Sequence, residues 1–106
     1  MMPERDRQIL KTFAARVRER FPKAEVWAFG SRARGDAREE SDLDICVVVE
    51  GLQHKGRQTI RRIGWEEGFA DDILICTTIY SKLEFERGPC SECPLVMNIR
   101  REGILV

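Results

Sequence analysis

The chain has no surplus charge: 18 lysines and arginines are matched by 18 aspartates and glutamates over 106 residues. A non-specific nucleic-acid binder needs a basic excess, so stable nucleic-acid binding is not expected. Zero net charge also removes one barrier to self-association, so a homo-oligomer is compatible with it. No apolar run reaches membrane-spanning length, and the charged start from Met1 to Arg7 leads into no signal-peptide core. The two absences together imply a cytoplasmic protein with no membrane partner. Repeats and low-complexity segments are missing as well. Histidine occurs once, as His54, with no ligand at metal-binding spacing. Cys90 and Cys93 form a Cys-x-x-Cys unit, half of a zinc knuckle or a redox pair, but the other half of a knuckle is missing. In a reducing cytosol the pair reads as a turn with two thiols. Cys46 and Cys76 sit among aliphatic residues and read as small buried hydrophobes.

What is present fits one domain spanning residues 1–106, with 42% hydrophobic residues to build a core. Ile9, Leu10, Phe13, Ala14, Val17 and Phe21 recur at helical spacing, which predicts an amphipathic helix from Glu4 to Phe21, stopped by Pro22. Ala24 to Phe29 reads as a first strand and Asp42 to Val49 as a second. A helix is expected over Arg57 to Glu67, weakened by Gly64. Phe69 to Thr77, with acids leading into aliphatics, reads as a third strand. A short helix within Tyr80 to Arg87 and a last helix from Pro94 to about Glu102 follow. The apolar end Ile104-Leu105-Val106 is expected to tuck into the core or an interface.

The informative stretch lies between Gly30 and Val49. Gly30-Ser31 forms a turn with backbone N–H groups, no obstructing Cβ at the glycine and a hydroxyl, all suited to phosphate. Ten residues later come Asp42 and Asp44, separated by Leu43. On a strand, alternate residues share a face about 6.6 Å apart, so both carboxylates project together while Leu43 points away. Two acids so placed repel unless a cation lies between them, and Mg²⁺ is the hard cation that shares oxygen ligands with phosphates. Asp36, Glu39 and Glu40 in the intervening loop are poorer ligands, because a loop holds a side chain less firmly than a strand end does.

Gly30-Ser31-Arg32-Ala33-Arg34-Gly35 followed by Ser41-Asp42-Leu43-Asp44 resembles the signature of the polymerase-beta-like nucleotidyltransferase superfamily. Within it, the stretch resembles the minimal, single-domain branch, the MNT proteins, many of them antitoxins encoded beside a HEPN-domain ribonuclease. The resemblance implies an α+β fold, a small mixed β-sheet with helices packed on one face. It also implies a third carboxylate on a neighbouring strand. Asp72 is the better match and Asp71 the alternative. ATP would be the substrate, its phosphates on Gly30 and Ser31 with Arg32 or Arg34 neutralising oxygen charge. Two Mg²⁺ ions would be shared by Asp42, Asp44 and Asp72. The implied reaction is AMP transfer to a hydroxyl of a partner protein, a HEPN toxin. Two other functions stay open: an antitoxin that only masks its toxin, and a transferase acting on a small molecule, for which the chain has no further acceptor domain.

Overall fold

The computed structural model describes residues 2–35 and 42–106. Helix α1 covers Glu4–Arg20 and buries Ile9, Leu10, Phe13, Ala14 and Val17, the predicted stripe. Strand β1 (Glu25–Phe29) runs into a one-turn helix, α2 (Gly30–Arg34). Strand β2 (Leu43–Val49) is followed by α3 (His54–Ala70), β3 (Ile75–Ser81) and α4 (Lys82–Glu86). A short 3₁₀ turn (Pro89–Glu92), α5 (Pro94–Glu102) and β4 (Ile104–Leu105) complete the chain. The strands form one mixed sheet in the order β3-β2-β1-β4, with β2 and β3 parallel and the other neighbours antiparallel.

Strand β2 lies inside the sheet, and its apolar run is covered on both faces. Leu43, Ile45, Val47 and Val49 pack with the α1 and α3 side chains. Cys46 and Val48 point the other way, against Phe85 of α4 and Val96 and Ile99 of α5. Each fully buried aliphatic side chain of this kind contributes about 1.5–3 kcal/mol. The mixed sheet is as expected, but helices on a single face are not: α1 and α3 cover one face, α4 and α5 part of the other. The cause is legible in β2, whose apolar residues do not alternate with polar ones after Asp44.

Helix α3 is longer than expected, and Gly64 is a contact point within it. A methyl there would meet Thr77 Cγ2 at 2.9 Å, so the glycine lets α3 lie close on β3. The third strand begins later than the sequence suggests. Residues 69–72 end the helix: the Ile73 N–H donates to Gly68 O at 2.9 Å and the Asp72 N–H to Phe69 O at 3.4 Å. Asp72 has φ 53°. That pair of bonds around a left-handed residue is a Schellman stop, in which Asp72 takes the place glycine or asparagine usually holds. The last three residues are drawn into the sheet, where β4 pairs with β1 and the Val106 N–H donates to Val26 O.

Candidate active site

Antiparallel pairing sets Phe29, the last residue of β1, opposite Asp44 near the start of β2. The chain then turns at Gly30 with φ 78°. A methyl on Gly30 would stand 2.4 Å from Asp44 Oδ2. The carboxylate thus occupies the space a side chain at position 30 would need, and only glycine satisfies both the dihedral and the contact. The small-residue turn and the acidic strand start, ten residues apart in sequence, form one site.

Asp42 and Asp44 leave the sheet on the face shared with Cys46 and Val48, and both are partly buried. Burial, and then the charge of Asp42, raise the Asp44 carboxyl above its ordinary value. Removal from water beside a like charge favours either a proton or a cation on this pair. Ser31 follows Gly30 and is half-buried. Helix α2 then closes on Gly35, whose N–H donates to Ser31 O at 3.0 Å.

The two arginines of the turn part company. Arg32 points inward, and its Nη1 lies 3.1 Å from both carboxylate oxygens of Asp6 on α1. Both side chains are buried. Losing one partner of such a buried pair typically costs about 3–5 kcal/mol. Arg32 therefore fastens the Gly-Ser turn to α1 from beneath. Arg34 is half-exposed, 3.7 Å from Glu102 of α5. An exposed pair at that distance contributes about 0–1 kcal/mol and yields readily to a phosphate.

Asp72 is not brought to the acidic pair. It is exposed and borders a cavity of about 720 Å³ on the α3 side of the sheet, with Arg61, Trp65, Phe69 and Thr77. Asp71 precedes it, its carbonyl accepting from Arg5 Nη2. The β2–β3 register instead sets Cys76 opposite Asp44. The Cys76 Sγ donates to Asp42 Oδ2 at 3.3 Å. Burial, followed by that hydrogen bond, pushes the Cys76 thiol up to about 11. Among the described residues no three His, Cys, Asp or Glu side chains are grouped to hold a metal ion. The donors among the described residues are two carboxylates beside an open glycine turn. That set fits a divalent cation completing its coordination from a ligand's phosphates better than one caged by protein alone.

Sequence reasoning misses two of these residues: nothing in the local pattern singles out Asp6, and Cys76 reads as a small buried hydrophobe. The signal for Cys76 was the parallel register, which no single-strand pattern contains. Asp36, Glu39, Glu40 and Ser41 lie outside the described residues. Cys90 and Cys93 are free thiols, both half-buried. Among the described residues no helix is long and apolar enough to cross a membrane.

The chain is similar to proteins already known. A protein provisionally named a protein adenylyltransferase in Methanocaldococcus jannaschii is 44% identical over 58 residues, covering 54% of this chain and 59% of that one. The protein adenylyltransferase MntA of Thermococcus cleftensis is 46% identical over 44 residues, 42% of this chain and 44% of its own. The chain thus spans about half the length of these curated relatives. A crystal structure described as a nucleotidyltransferase from Sulfolobus solfataricus superposes with TM-score 0.60 at 25% identity, covering 95% of this chain and 78% of that one. A toxin–antitoxin structure with AMP-PNP shares the fold at TM-score 0.58 and 17% identity, over 90% of this chain and 70% of that one. The nucleotidyltransferase domain model matches residues 10–106, taking in the Gly-Ser turn, both carboxylates and the whole sheet. On that match the chain belongs to the nucleotidyltransferase domain family.

Proposed function

We propose that this protein transfers AMP from ATP to a hydroxyl group of a partner protein, with Mg²⁺ held by Asp42 and Asp44. The observation that carries the reading is the contact between Gly30 and the Asp44 carboxylate, which joins a phosphate-binding turn to an acidic pair. Gly30 and Ser31 offer a backbone N–H and a hydroxyl to the phosphates, and Arg34 exchanges Glu102 for a phosphate oxygen. Asp42 and Asp44 would hold the Mg²⁺, which when bound would supply charge neutralisation on the triphosphate and lower the pKa of the acceptor hydroxyl. The acceptor oxygen bonds to the α-phosphorus, the bond from that phosphorus to the bridging oxygen breaks, and pyrophosphate leaves. The hydroxyl proton passes to water. Among the described residues two acids, Asp42 and Asp44, stand at the site, a set sufficient for one Mg²⁺.

The partner we infer is a HEPN-domain toxin, silenced when one of its hydroxyls carries AMP. Support comes from relatives named protein adenylyltransferase and from the fold shared with a toxin–antitoxin structure. A masking antitoxin without catalysis is the second reading, favoured by one observation: a thiol, not an acid, stands beside Asp42 on β3. Incubation with ATP labelled at the α-phosphate, Mg²⁺ and the product of the neighbouring gene separates the two. Label on the partner that is lost with Asp44→Asn supports transfer. An unlabelled complex that survives the substitution supports masking.

A further inference from the structure

The family likeness calls for three acids, and Asp72 borders the cavity on the α3 side of the sheet. Among the described residues, Cys76 reaches the pair. Three facts place it there. Its backbone is in register with Asp44 across the parallel β2–β3 ladder. Its side chain shares the face of Asp42 and Asp44, since Ile75 and Thr77 on either side of it face α3. Its Sγ is 3.3 Å from Asp42 Oδ2.

We propose that Cys76 is the positioning residue of this site: its thiol, by donating to Asp42 Oδ2, holds the Asp42 carboxylate in place beside Asp44 so that the two acids can grip one divalent cation. The inference rests on the metal-binding reading of the acidic pair given above. A carboxylate on a strand end retains freedom about its side-chain torsions, and two like charges drive each other apart. A hydrogen bond from the neighbouring strand restrains one oxygen and leaves the other free to bind a cation. Groups that hydrogen-bond to metal-binding carboxylates commonly govern affinity in this way, and losing one costs about 10–100-fold. A thiol is a weak donor, so the low end of that range is expected here.

The test uses Mn²⁺ as the probe, titrated calorimetrically in the presence of a non-hydrolysable ATP analogue, so that binding is read apart from turnover. Cys76→Val removes the donor while keeping a side chain that suits a strand. It should weaken Mn²⁺ binding about tenfold, with unchanged affinity for the analogue in the absence of metal. Cys76→Ser keeps a donor at the same place and should restore most of the loss. A thermal melt of each variant separates this effect from unfolding, because a merely structural role would shift the melt and not the metal affinity of the folded fraction. Wild-type affinity in Cys76→Val overturns the proposal, as does Cys76→Ser binding no better than Cys76→Val. If the unaltered protein itself binds no Mn²⁺ with the analogue, the reading of Asp42 and Asp44 fails first, and the role of Cys76 fails with it.

Discussion

Two stretches of this chain look alike on paper. Ser41-Asp42-Leu43-Asp44 leads into Ile45-Cys46-Val47, and Ala70-Asp71-Asp72 leads into Ile73-Leu74-Ile75. In the folded molecule they do opposite things. The first is the mouth of an inner strand, with two carboxylates on one face and a glycine turn packed against one of them. The second is a helix ending, with Asp72 in a left-handed conformation at the border of the cavity beside α3. Acids before aliphatics do not by themselves mark a catalytic strand. What distinguishes the two is alternation and company: Asp42 and Asp44 are two residues apart, whereas Asp71 and Asp72 are adjacent and follow a helix that needs a stop.

Substitutions can break this contrast, and the largest effect belongs to the first stretch. Asp44→Asn should lower the rate of nucleotidyl transfer on the order of 10²–10³-fold, the usual scale for removing a charge-stabilising group, as read by label incorporation. Gly30→Ala comes next. It forces a left-handed conformation on an L-residue, at about 1–2 kcal/mol, and drives a methyl into the Asp44 carboxylate. Both stability and transfer should fall, seen in denaturant unfolding and in the same label assay. The second stretch should respond in the other direction. Asp72→Gly suits the left-handed helix stop and removes an acid from a helix C-terminus. It should raise stability by up to about 1 kcal/mol and leave transfer intact.

The smallest effect is a pH dependence confined to the first stretch. The folded-state pKa of Asp44 lies above its unfolded value, chiefly through burial. Its favourable contribution is therefore complete in acid, below the unfolded pKa, and is lost as pH rises through the folded value. At neutral pH without divalent cation, the ionised Asp44 costs stability, so Asp44→Asn should melt higher than the unaltered protein. In acid the difference should close. Saturating Mg²⁺ and nucleotide should reverse the order, since only the unaltered pair binds them well. Thermal melts at two pH values, with and without Mg²⁺ and nucleotide, check all three statements.

Much of the architecture could be read from residue periodicity. The buried stripe of α1, the strand into Phe29 and the last helix from Pro94 to Glu102 all carry local signals, and the structure places them as the spacing implies. The Gly-Ser turn and the Asp42/Asp44 pair were equally legible, because a two-residue spacing on a strand fixes a shared face. What escaped depends on partners distant in sequence. Arg32 bonds to Asp6, 26 residues earlier, a pairing that neither local stretch announces. Cys76 looks like core until the parallel register sets it against the acids. Asp72 looks like a strand leader because the helix before it runs on to Ala70, carried past Gly64 and Gly68 by close packing on β3 that helix propensity does not contain.

The most direct measurement sets the two stretches side by side: calorimetric titration of Mg²⁺ with a non-hydrolysable ATP analogue into Asp44→Asn and Asp72→Gly. The account predicts that binding is lost in the first and matches the unaltered protein in the second. Binding that survives in Asp44→Asn, or vanishes in a folded Asp72→Gly, would contradict it.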